Sequence, residues 1–289
     1  MRRTAIFTIV ASILAIMMWS GAAVAYETGI YEQGFLVPLA TYDTSGTDTV
    51  VGIELGVNTG IVSGIYWNYM SINGVQLSAG SINIVSGTTT YPFSLSNKDA
   101  GAHPGVMGWL LFTWDDNGTL EGGDNANIVS GNSFLLDLTA NDAAFIPIIP
   151  LDFSDYQGLP IPLNNVPSTV LGVLTYGVFA LNSEMSVRFT NQDDIGSSTT
   201  LYIFTPLQAP ATFEAIANGD NGLQTSTFNI PSSGTRLNSV DLSTITELSG
   251  IDNGSITITQ PAGSPIGIAF GLSTSSVLGA AQTTVVTAF

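Results

Sequence analysis

Short runs rich in Val, Ile, Thr, Phe and Tyr recur along the whole chain, and clusters of Gly, Asn, Asp, Ser and Pro separate them. Residues 49–55, 64–72, 81–85, 108–113, 200–205, 255–259 and 283–289 are examples. Each is of strand length, and no longer segment keeps a helical period. Ser255-Ile256-Thr257-Ile258-Thr259 alternates strictly, with one apolar and one hydroxylated face. Asn-Gly pairs at Asn73-Gly74, Asn221-Gly222 and Asn253-Gly254 predict type I′ hairpin turns, because both residues tolerate positive φ. The chain therefore reads as all-β.

The pattern also repeats. Asn73-Gly74-Val75-Gln76 matches Asn221-Gly222-Leu223-Gln224, and Leu95-Ser96 matches Leu242-Ser243. Gly108, Leu110 and Phe112 match Gly254, Ile256 and Ile258. Gly46, Thr49, Val51 and Ile53 match Gly196, Thr199, Leu201 and Ile203. Near the end of each copy, Gly131, Phe134, Leu136 and Phe153 match Gly267, Phe270, Leu272 and Phe289. The order and near-constant spacing predict an internal duplication. The expected fold is two tandem antiparallel β-sandwiches, immunoglobulin-like or jelly-roll-like, over 26–153 and 172–289. Residues 154–171, with Pro160, Pro162 and Pro167, read as a stiff linker. Val51, Ile53, Leu95, Leu110, Phe112, Phe134 and their matches are expected to point inward.

The first residues carry a different pattern. Arg2 and Arg3 precede an apolar run that ends in Ala23-Val24-Ala25. This is the three-part layout of a secretory signal peptide over 1–25. Beyond it only Lys98, Arg188 and Arg236 remain basic, against 22 acidic residues. Such a surface repels phosphate backbones and anionic lipid, so nucleic acid is excluded as a partner. No later segment suits a membrane-spanning helix. The expected location is secreted or cell-surface, with the periplasm as the alternative compartment. The chain has no cysteine, which removes disulfides, thiol catalysis and cysteine metal sites.

Candidate chemistry is sparse. Residues 114–130 of the first copy are longer than their counterpart, 260–266. They hold Asp115, Asp116, Asn117, Glu121 and Asp124 among glycines. Oxygen ligands on a glycine-permitted loop suit Ca²⁺, although the EF-hand pattern is not met. A solvated hairpin loop accounts for the same residues. Tyr66, Trp67, Tyr69, Trp109 and Trp114 could form a saccharide-stacking face, or fill the space between sheets. His103 is the single histidine, in a loop by composition. It lacks the companions of a zinc site, and no G-x-S-x-G elbow accompanies it.

These readings point to a non-catalytic structural or adhesive protein of the cell surface, matrix or a surface filament. A carbohydrate- or calcium-dependent binding module is the alternative. A small outer-membrane barrel or a glycan-acting enzyme comes third. An unpaired strand in residues 26–41 or 283–289 could join a second chain, or both segments pair within their own domains. Pro38 is expected to keep the first of these segments from a central position.

Overall fold

The structure is a computed structural model. It describes residues 34–56, 64–85, 88–113, 119–120, 129–151, 161–162, 185–192, 196–205, 212–222, 224–259, 268–275, 282–285 and 287–288. The proposed signal peptide and most of residues 154–171 lie outside them.

In the first half the strands are β1 (Gly34–Ala40), β2 (Thr47–Leu55), β3 (Gly64–Ser71), β4 (Gln76–Asn83), β5 (Thr90–Ser94), β6 (Gly108–Thr113), β7 (Thr119–Leu120), β8 (Val129–Asp137), β9 (Asp142–Ile146), β10 (Ile149–Leu151) and β11 (Ile161–Pro162). One helical turn, α1 (Leu95–Lys98), follows β5. The second half holds β12 (Met185–Thr190), β13 (Ser197–Phe204), β14 (Thr212–Gly219), β15 (Thr225–Pro231), β16 (Leu237–Asp241), β17 (Asn253–Thr259), β18 (Ile268–Ser275), β19 (Gln282–Val285) and β20 (Thr287–Ala288).

These strands form four antiparallel sheets of four or five strands. Sheet A runs β5-β2-β8-β9 and sheet B runs β10-β1-β6-β3-β4. Sheet E runs β16-β13-β18-β19 and sheet D runs β15-β14-β17-β12-β20. A small fifth sheet, C, pairs β7 with β11, so the long first-copy loop and the proline-containing connection meet. All these sheets are open ladders with two edges.

The strand orders of the two halves coincide. Reading β1 to β6 as β12 to β17, and β8 to β10 as β18 to β20, converts sheet A into sheet E and sheet B into sheet D. Local details coincide as well. The Thr49 hydroxyl accepts from the Thr41 amide at 2.9 Å and donates to the Thr41 carbonyl at 2.8 Å. The Thr199 hydroxyl does the same with Thr190, at 2.9 and 3.0 Å. In each half this staple ties the two facing sheets together.

Sheets A and B enclose one core. Phe35, Phe112 and Trp67 share a face because they are register partners, and Phe93 of sheet A meets Phe112 and Trp67 edge-on. Sheets D and E enclose another, with Val187, Phe213, Ile256 and Ile258 against Leu201 and Ile203. Val51, Ile53, Leu95, Leu110 and Phe112 are buried as expected, and so are their matches.

Four sequence expectations change. Phe134 pairs with Val50 rather than Val51, so it lies on the outer face of sheet A beside Phe145. The last repeat block is two residues out of step. Val51 pairs with Ser133 while its match Leu201 pairs with Gly271, so the counterpart of Phe134 is Leu272 rather than Phe270. The Asn-Gly turns are not type I′, because only Gly74 and Gly222 take positive φ, at 78° and 67°. The Gly74 amide donates to Ser71 and the Gly222 amide to Gly219, each closing a turn ahead of the left-handed glycine. Asn253-Gly254 is no turn at all but the start of β17.

The fourth change concerns Pro38. Residues Gly34–Leu36 of β1 are paired on both sides, with β10 and β6. Pro38 falls in the register shift between Val37 and Ala40, beyond the end of β10. A bulge there tolerates the missing amide, so the proline does not expel the strand from the sheet interior.

The two sandwiches also stack. Strands β1 and β6 are buried along their full length, on both faces. The outer face of sheet B carries Leu36, Leu111, Met70 and Trp109. It meets the outer face of sheet E, which carries Phe204, Ile268, Phe270 and Leu272. Trp109 and Phe204 touch edge-on with centroids 5.7 Å apart, and the Arg236 guanidinium lies 5.7 Å over the Trp109 ring. The Arg236 amide donates to the Ile72 carbonyl across the same junction, at 3.0 Å. The layers therefore run A, B, E, D, and an apolar interface of this kind holds two domains as one body.

Candidate functional site

A cluster of titratable side chains gathers around Asp99, just after α1. Its side chain is fully buried. Tyr42, from the corner between β1 and β2, donates its hydroxyl to Asp99 Oδ2 at 2.6 Å. The His103 amide donates to the same oxygen at 2.9 Å, and His103 Nδ1 lies 3.0 Å from Oδ1. Ser78 of β4 adds a hydroxyl. Burial pushes the Asp99 carboxyl upward, but the hydrogen bonds from Tyr42, His103 and Ser78 outweigh it and hold the group below the usual carboxylate range. Burial, together with the hydrogen bond to Asp99, raises the Tyr42 phenol.

A carboxylate can only accept, so His103 Nδ1 carries a proton toward Asp99, which in the neutral ring leaves the lone pair on Nε2. The arrangement fixes one imidazole tautomer on a loop that is 30% exposed at its histidine. Chemically that offers a single proton acceptor or metal ligand. Among the described residues no group of three or more His, Cys, Asp or Glu side chains converges. The cluster's evident work is mechanical. It pins the loop after α1 to the β1–β2 corner and to β4, assisted by the Tyr69 hydroxyl on the Val106 carbonyl.

The sequence contained half of this signal. Asp99 and His103 stand four apart in a glycine-rich loop, which is hydrogen-bonding distance in a helical turn. Tyr42 and Ser78 come from distant strands, and only the folded sheets bring them in.

Asp99→Asn replaces an acceptor with a donor that faces the donors of Tyr42 and His103. The expected loss is about 1–3 kcal/mol in urea denaturation at pH 7. Because the folded carboxyl lies below its unfolded value, its stabilisation is present above the unfolded value and lost as the pH falls through the folded one. The variant should therefore show a shallower loss of stability than the parent below about pH 4.

Asp48 behaves in the opposite sense. It accepts from the Ser94 hydroxyl at 2.7 Å, the Ser96 hydroxyl at 2.8 Å and the Ser96 amide at 3.0 Å, and so anchors the start of α1. Burial nevertheless dominates and raises its carboxyl. Its contribution is greatest below the unfolded value and is lost as the pH rises through the folded one. Asp48→Asn keeps the acceptor for Ser96 and lets the hydroxyls accept, so it should match or exceed the parent melting temperature at pH 7. Asp48→Ala should lose about 1–3 kcal/mol. A thermal melt series across pH checks both.

The candidate residues named from sequence fall in two places. Asp115, Asp116, Asn117, Glu121, Asp124 and Trp114 lie outside the described residues. Trp67, Tyr69 and Trp109 are 3%, 0% and 0% exposed, and Tyr66 packs half-buried against the same core. The described members of the aromatic set therefore fill the interior and form no exposed stacking face. Alternation sends Trp67 and Tyr69 into the first core and Trp109 into the junction with sheet E.

The second half holds no tryptophan at the corresponding register positions, and packing explains that too. Trp67 sits opposite Gly80, and its counterpart Ala215 sits opposite Phe228, so bulk is exchanged across one strand pair. Trp109 corresponds to Ser255, on the face of sheet D that points away from sheet E. Family models, curated proteins and solved structures offered no match to this chain.

Proposed function

We propose that the chain is an exported, non-catalytic structural or adhesive protein of the cell surface, extracellular matrix or a surface filament. One observation carries the reading. Two sandwiches are joined through a buried apolar face into one body, with aromatic side chains spent on packing. Rigidity of this kind suits a spacer or scaffold.

The outward face of sheet D fits the same role. Its register rows carry Thr225, Thr227, Ser255, Thr257 and Ser186, with Glu214, Arg188 and the exposed Ile216 among them, a face rich in hydroxyls. The shared strand order and threonine staples support descent of the halves from one duplicated unit. No helix among the described residues is long and apolar enough to cross a membrane. The leader-like residues 1–25 support export, with cleavage before Tyr26.

Fractionation of the producing cells tests the reading. The chain should begin at Tyr26 and be recovered with surface or matrix material, extracted by denaturant rather than by buffer. Recovery of an unprocessed chain from the cytoplasm would overturn it.

A further inference from the structure

Among the described residues, sheets A, B, D and E present eight edge strands: β5, β9, β10, β4, β15, β20, β16 and β19. An edge exposes unpaired backbone groups, and proteins commonly blunt it with charge, proline or shortness. Seven of these edges carry such a device. Pro92 lies in β5, Pro150 in β10 and Pro231 in β15. Asp142 lies in β9 and Asp241 in β16. Strands β19 and β20 have four and two residues.

Strand β4 has none of the three. It is eight residues long, Gln-Leu-Ser-Ala-Gly-Ser-Ile-Asn, with neither charge nor proline. Its one irregularity is the register shift at Leu77, at its very start. Ala79, Ser81 and Asn83 are exposed. Its ladder runs to β3 on one side, and no backbone hydrogen bond among the described residues leaves the other. Among the described residues the two most exposed large hydrophobic side chains bracket it: Val75 just before, at 63%, and Val85 just after, at 61%.

We propose that β4 is a docking edge for the β4 strand of a second copy of this chain, paired antiparallel about a two-fold axis at Gly80. That register sets Ala79 opposite Ser81 and Val75 opposite Val85, at both ends of the contact. The edge is thus self-complementary, as an isologous interface requires. Charge favours the same occupant. With 22 acidic residues against five basic, two copies repel over most of their surfaces, and β4 is a neutral strip along which they can meet. Sheet B then continues across both copies, and the valine pairs cover apolar surface that each copy alone leaves in water.

The cysteine-free chain makes the test clean. Antiparallel neighbours at positions 79 and 81 are within disulfide reach. Purified A79C/S81C protein, oxidised gently, should run as a covalent dimer on a non-reducing gel. T227C/N229C, the corresponding pair on β15, should not. Sedimentation velocity should show a concentration-dependent doubling of mass for the unmodified chain, lost in Ser81→Lys with the melting temperature retained. A chain that stays monomeric at high concentration overturns the proposal, as does crosslinking of both cysteine pairs alike. The inference stands apart from the surface role. A dimer formed this way by a chain that is not surface-associated keeps the one and sinks the other.

Discussion

Gly108→Ala is expected to leave little folded first sandwich, because its methyl group has no place to go. A Cβ at this position would lie 1.9 Å from the Met70 carbonyl oxygen and 3.0 Å from its carbon. Both atoms are backbone, in the strand pairing where Ser71 faces Gly108. Relief would require β3 and β6 to separate at that point, and these are central strands of sheet B. The expected destabilisation is on the order of 4 kcal/mol or more, in the range reserved for a broken core or backbone. Gly254→Ala makes the same experiment in the second half, where the Cβ would lie 2.3 Å from the Asn218 carbonyl oxygen. Chemical denaturation followed by circular dichroism measures both. A Gly108→Ala protein melting within a few degrees of the parent would show that β3 and β6 pair in another register.

Trp109→Ala addresses the junction between the halves. Trp109 is fully buried, yet it belongs to the face of sheet B that points away from the first core. Its ring contacts Phe204 and supports Arg236, both from the second half. Truncation removes a large side chain from a close-packed layer, which costs about 3–5 kcal/mol. It should also uncouple the sandwiches, so that a single denaturation transition becomes two. Trp67→Ala removes a comparable ring from inside the first core and should destabilise that half without splitting the transition. A Trp109/Phe204 double-mutant cycle should show strong coupling, because the two residues touch. A null coupling would mean that the halves do not stack through these rings in solution.

The contrast between the two tryptophans bears on how far the sequence could be read. Alternation tells which residues share a face, but not what covers that face. For most strands the question does not arise: β14 alternates exposed and buried along its length, so one side faces a core and the other faces water. Strands β1 and β6 are buried on both sides. The second partner could not be named, because sheet E supplies it from more than ninety residues further along, at Phe204. Trp109 therefore looked like a candidate ligand platform until the second sandwich was placed over it.

The composition and periodicity of the chain determined that it would be all-β and that turns would close at Gly74 and Gly222. Those features are local: they rest on backbone freedom and on the alternation of side chains along single strands. Registers were another matter. The last repeat block was legible by type but two residues out of step, since Phe134 and Phe270 are alike in chemistry and share strand parity while Val51 and Leu201 select different partners. The Asp99 cluster was half visible, because Tyr42 and Ser78 reach it only through sheet packing. Tertiary structure decided these points because cross-strand pairing and layer stacking join residues that no local pattern connects, and their energies are settled by fit across the whole set of sheets at once.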